Sequence, residues 1–240
     1  MRLYFYCILR DFKGGDLPTA GVGGQRIFHI QNRGLCAAVS PSRHRQYDVT
    51  EKNLKTHESV IQAYMAKYPV LPYRINTVVG ERVGRGVLQK YHAALSKDLQ
   101  GVQNRRQFRV RVIRRKAGPG EKPIGSLLAP SEMKARMSDY IGSAKRSAPR
   151  KTYVLKPHVY KNMVHGPLEG IADRTKNGSL AGSHTVVDSL YLVHKSQTND
   201  FRNEYLHLQQ QFQELEFFLT GPEPPYDFTS VSIVAGNKWD

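Results

Sequence analysis

Two cysteines, Cys7 and Cys36, are all that the 240 residues contain, and each sits inside an apolar run that reads as a strand. Both read as small buried hydrophobes. No CxxC pair occurs, so a cysteine zinc site is excluded. Acidic residues are few: 20 Asp and Glu stand against 36 Lys and Arg, a formal charge of +16. Long apolar runs are also missing. The run from Leu3 to Leu9 is closed by Arg10 and Asp11, too short for a secretory signal. No stretch approaches the roughly 20 apolar residues of a membrane span. The expectation is a protein made and kept inside the cell, with no membrane partner.

Catalytic patterns are missing as well. The stretch "GVGGQRIF" has the glycines of a phosphate loop without the Lys-Ser/Thr that meets nucleotide and metal, so it reads as a connector. His57-Glu58 opens like a zinc-protease helix, but Ile61 stands where the second histidine belongs. The other histidines lack metal-ligand spacing, and no GxSxG occurs. The expectation is therefore no catalytic residue, no metal, no cofactor and no enzyme.

What is present builds a core, since 40% of residues are hydrophobic. "LYFYCIL" reads as a strand buried on both faces. "RIFHIQ" and "GLCAAVS" flank Asn32-Arg33-Gly34, a hairpin signal. A helix follows from Asp48, with Asp48 and Glu51 as a capping box, Leu54, Ile61, Met65 and Tyr68 on one face, and Pro69 as its end. "VLPYRINTVV" reads as an edge or bent strand. Val87, Leu88, Tyr91, Leu95 and Leu99 mark one further helix. In "RRQFRVRVIRRK", Phe108, Val110 and Val112 alternate with Arg109 and Arg111, a half-buried strand with a basic outer face. A short helix is expected over 131–140, and a strand in "VVDSLYLV". "TNDF" reads as the cap of a helix carrying Phe201, Tyr205, Leu208, Phe212 and Leu215, followed by the strand "LEFFLT".

These elements predict an α+β chain of two domains. Residues 1–101 form an N-terminal α+β domain. Residues 102–228 form a C-terminal ferredoxin-like (split βαβ) unit with a variable middle from about 118 to 182, and 229–240 form a tail. Between 102 and 176 lie 18 basic and 5 acidic residues, most of the positive excess. Arg109 and Arg111 make a candidate basic interaction face. A solvated surface ranks first for it, an acidic protein partner second and nucleic acid last, because the open face lacks the aromatics on which bases stack.

"LTGPEPPYDF", 219–228, places three prolines directly after a strand. It resembles the C-terminal signature of the gas vesicle protein F/L family, close to L-T-G-P-W-P-P-Y-x-F. "HESVIQAYMAKYPVLPYRINTVV" resembles the same family's His-Glu helix followed by V-L-P-x-R-x-x-T-V. "DSLYLVHK", with the helix after it, resembles its Y-L-V segment, and "YFYCIL" fits its first strand. The blocks come in the family's order and cover the first ~100 residues and the last ~55. Three positions depart: Glu223 stands in place of Trp, Tyr73 of Leu and Asn76 of Gly.

The resemblance implies a gas vesicle accessory protein, a minor component or assembly factor. Its implied partners are the small hydrophobic major shell protein and possibly other accessory proteins. It also implies two α+β domains, the second a modified ferredoxin-like one. The matched motif positions are Leu71, Pro72, Arg74, Thr77, Gly221, Pro222, Pro224, Pro225 and Tyr226, structural or interacting. Physically, Gly221 and the prolines read as a firm strand stop, with Tyr226 and Phe228 packing back on the domain. The alternative is a basic nucleic-acid-binding protein.

Overall fold

In the first sheet the leading strand takes the middle, because the seven residues between its terminal arginines are all apolar or aromatic. β1 (Arg2–Arg10) has Leu3 through Leu9 fully buried. It pairs with β3 (Leu35–Ser42) on one side and with β4 (Val70–Pro72) and β5 (Val78–Gly80) on the other, while β2 (Phe28–Asn32) pairs with β3. Every pairing is antiparallel. This is a computed structural model, and it describes residues 1–114, 157–178 and 184–231.

A bulge between Phe5 and Cys7 breaks the two-residue alternation of β1. Tyr6 and Cys7 therefore join Tyr4 and Leu9 in one cluster, with Val60, Ile61 and Tyr64 of helix α1 (Glu51–Lys67). Leu3, Phe5 and Ile8 join a second cluster on the other face, under α2 (Glu81–Lys90) and α3 (His92–Val102). Gly84 lets α2 approach this closely, since a Cβ there would stand 2.9 Å from Leu3 Cδ1. The β2–β3 hairpin turns through Arg33 and Gly34, both at positive φ, as the Asn-Arg-Gly signal requires.

The second sheet is ordered β7-β8-β6-β9: β6 (Arg105–Arg114), β7 (Arg174–Asn177), β8 (Thr185–His194) and β9 (Leu215–Glu223). Helix α4 (Pro157–Ile171) precedes β7, and α5 (Thr198–Gln211) joins β8 to β9. Among the described elements the order is βαββαβ, with the second strand at one edge and the last at the other, the arrangement of a split βαβ unit. Phe108, Val110 and Val112 face Tyr160, Val164 and Leu168 of α4 and Phe201, Tyr205 and Leu208 of α5. Arg109 and Arg111 alternate to the exposed side, as the pattern predicts. The two sheets share buried surface, because Leu192 of β8 packs in the same cluster as Leu95, Leu99 and Val102 of α3.

Several local expectations are corrected. Thr50 caps α1, its side chain accepting from Asn53 N at 3.2 Å, so the Asp48–Glu51 box does not form. The single helix expected around Val87–Leu99 is two, broken at Tyr91, whose φ/ψ of −110°/22° is not helical. The break lets α2 lie on β2 and β5 while α3 reaches β4. α5 begins at Thr198 after a 3-10 turn over 195–197, with no side-chain cap, and ends before Phe212; Leu215 already belongs to β9. Both α4 and β7 were unforeseen. The helix expected over 131–140 lies outside the described residues, as does the tail beyond Val231.

Candidate interaction site

β9 does not stop at Gly221. The ladder with β6 shifts register between Gln107 and Arg109 and resumes with Gln107 opposite Glu223, so the glycine and first proline form a bulge inside the strand. Gly221 has φ +119°, and a Cβ on it would stand 2.7 Å from the Gln107 carbonyl oxygen. No other residue fits there without strain. The Gly221–Pro222 peptide is cis. Pro222 is exposed, and Pro224 and Pro225 are buried.

Beyond the prolines, a 3-10 turn over Tyr226–Phe228 closes a clasp. Asp227 is its centre. Its Oδ1 accepts from Arg74 Nη2 at 2.7 Å, its Oδ2 accepts from Gln107 Nε2 at 2.8 Å, and its backbone N–H donates to Gln107 Oε1 at 3.0 Å. Lys176 Nζ of β7 donates to the Asp227 carbonyl. Phe228, 1% exposed, fills the cluster shared by both sheets, with Arg174 and Lys176 each about 5.5 Å from its ring centre. Ser230 then donates from N and Oγ to Asp98 Oδ2 of α3, at 2.6 and 2.7 Å.

The other motif block meets the same clasp. Leu71 and Pro72 pair with β1 and are buried. Thr77 Oγ1 donates to the Arg74 carbonyl at 2.7 Å and holds the turn that presents Arg74. Asn76 takes the left-handed conformation, φ 66°, which asparagine tolerates best after glycine. Its side chain also exchanges two hydrogen bonds with the Tyr47 backbone, at 2.8 and 2.9 Å. Below the turn, His57 is locked. Its Nε2–H donates to the Tyr73 carbonyl at 2.9 Å, so Nδ1 is the acceptor from Tyr4 OH, also at 2.9 Å. Burial pushes this imidazole down to about 4.

Leu71, Pro72, Arg74, Thr77, Gly221, Pro224, Pro225 and Tyr226 therefore gather around one junction between the sheets, with Pro222 pointing to solvent. Glu223, half-buried beside Asp227 and Glu58, has its carboxyl raised chiefly by burial. Phe228 packs back into the core, as its place in the motif led one to expect. Sequence reasoning missed Asp227 and Gln107, which are 120 positions apart and carry no local signal.

Arg109 and Arg111 share a carboxylate on the exposed face of β6, with Arg109 beside the bulge and opposite Thr220. Arg109 Nε and Nη2 grip Asp188 Oδ1 and Oδ2 at 2.8 and 2.7 Å, and Arg111 Nη2 reaches Oδ2 at 3.3 Å. The Asp188 side chain is fully buried, while each arginine side chain is 45% exposed. The fork of hydrogen bonds from Arg109 holds the Asp188 carboxyl below its usual range. Among the described residues, no cluster of three or more His, Cys, Asp or Glu is placed to hold a metal. No described helix is long and apolar enough to cross a membrane.

The profile of the family described as "Gas vesicle synthesis protein GvpL/GvpF" matches residues 2–230. The chain belongs to that family. The match also runs across 118–182, which the quoted motifs left uncovered. "Gas vesicle protein F1" of Halobacterium salinarum is 21% identical over 238 residues, 97% of this chain and 95% of that protein. The crystal structure of gas vesicle protein GvpF from Anabaena sp. PCC7120 matches with TM-score 0.74 at 19% identity, covering 96% of this chain and 97% of the other. That of GvpF from Microcystis aeruginosa matches at TM-score 0.71 and 17% identity, covering 96% and 99%. These GvpF structures share the α+β fold over nearly their whole length, so the two-sheet architecture is that of GvpF proteins.

Proposed function

We propose that this member of the GvpL/GvpF family is a gas vesicle accessory protein, a minor component or assembly factor at the vesicle in the cytoplasm. It binds the hydrophobic major shell protein and keeps it from aggregating during nucleation. The observation that carries this reading is the family match over residues 2–230. The physical argument is that a shell subunit buries its apolar face only once the wall exists, and before that it aggregates. A binder that covers the subunit until it is delivered needs no catalytic residue and no cofactor. Other accessory proteins of the vesicle are further partners on this reading.

The test is co-expression of the tagged full chain with the major shell protein, followed by affinity isolation. Shell protein should be recovered, and recovery should persist when salt is raised to about 0.5 M, because apolar contacts are not screened. A folded preparation that recovers neither shell protein nor other vesicle proteins contradicts the reading.

A further inference from the structure

A groove of about 220 Å³ opens where the last turn of α1, the end of α3, the start of β6 and Pro225 come together. Its cations are Lys67, Arg105, Arg106 and Lys195, and none of the described residues lining it is acidic. Arg105 is matched by Asp173, Nε to Oδ2 at 2.8 Å. The other three are not matched by a described carboxylate. Lys67 Nζ donates to the Asp16 carbonyl at 2.6 Å, and Arg106 Nη1 to the Arg105 carbonyl at 3.1 Å. Arg106 is half-buried, and burial lowers its guanidinium from the usual value, with no described carboxylate to restore it. The C-terminal ends of α1 and α3 reach the groove, and each contributes about half a negative charge. Together they offset about one of the three cations. A desolvated guanidinium without a carboxylate is a costly arrangement that an incoming anion relieves.

The walls narrow the choice of anion. Met65, Val70, Val102 and Pro225 give the lining an apolar share. The volume lies below the roughly 300–1,000 Å³ of small-molecule pockets. Tyr68, the one aromatic in the lining, already donates its hydroxyl to the Gly14 carbonyl at 3.0 Å, and it gives no run of stacking platforms for bases. We propose that this groove between the sheets binds a short acidic segment of a protein partner, with a carboxylate on Arg106 and Lys195 and an adjacent apolar side chain against Val70 and Val102. The proposal stands apart from shell-protein binding, since its probe is a free peptide. A failed peptide assay leaves the co-isolation result untouched, and the reverse also holds.

The experiment is fluorescence polarisation of a labelled, acetylated Glu-Leu-Glu-Leu-Glu peptide with the full chain at about 0.15 M salt, where long-range charge effects are screened. Arg106→Gln should weaken binding about tenfold, as loss of a hydrogen-bonded charge does. Lys195→Gln, at an exposed position that leaves folding intact, should weaken it about threefold. Arg82→Gln, an equal charge change on exposed α2 outside the groove, should change it less than about twofold. Two competitors complete the test. Inorganic phosphate and a single-stranded RNA oligomer should each displace the peptide poorly. Equal losses for all three variants, no binding to the wild type, or efficient displacement by phosphate or RNA would each overturn the proposal.

Discussion

Asn76 and Tyr73 show how two departures from the family pattern fit this chain. Asn76 keeps the left-handed turn that a glycine would hold and adds the Tyr47 bonds. Tyr73 packs edge-on against Phe5, but among the described residues its buried hydroxyl has no hydrogen-bond partner. Tyr73→Phe should therefore leave stability unchanged or raise it by about 1 kcal/mol, read from chemical denaturation. Gly221→Ala should lower it by about 2 kcal/mol or more, because both φ and the Gln107 carbonyl oppose a Cβ. His57 predicts a pH dependence. Its folded-state pKa of about 4 lies below the ordinary 6.5, so below pH 6.5 the unfolded chain binds a proton that the native chain refuses. Stability should fall as pH drops from about 6.5 to about 4, by about 3 kcal/mol from this group, and level off below. His29 and His165, also lowered by burial, act in the same direction. A denaturation midpoint flat between pH 7 and pH 4 would refute the assignment.

At the scale of elements, the clasp assigns weight differently from the motif. Tyr226 is half-buried whereas Phe228 is fully buried, so Phe228→Ala should cost about 3–5 kcal/mol and Tyr226→Ala less. Asp227→Ala should also destabilise, since it leaves the Nε2 of buried Gln107 without its acceptor. Thermal melting of the three variants ranks them. The strands that alternate or run apolar were legible: β1, the β2–β3 hairpin, and β6 with its arginines outward. α4 was not, although Tyr160, Val164 and Leu168 recur at helical spacing, because Gly166 and Pro167 sit inside it and read as breakers. β7, Arg-Thr-Lys-Asn, has no apolar residue, and only its pairing with β8 makes it a strand. The continuation of β9 through Gly221 was hidden because a bulge lets the ladder resume after a proline.

For the whole molecule, the junction explains why one proline-rich stretch is so dense. It carries the last strand out of the second sheet, fixes Arg74 of the first through Asp227, and seats Phe228 in the core that both share. The basic excess is partly spent internally, on Asp188 and Asp173. Arg109→Gln with Arg111→Gln would strand the fully buried Asp188 carboxylate, so that double variant should destabilise the fold and is a poor probe of partner binding. The central claim, an assembly role that precedes the vesicle wall, is tested most directly by deleting the gene in its host. Electron microscopy and fractionation would be combined with measurement of shell-protein transcripts. Few or no vesicles, unchanged transcripts and shell protein in aggregates are expected. Vesicles of normal number and shape in the deletion strain would contradict the claim.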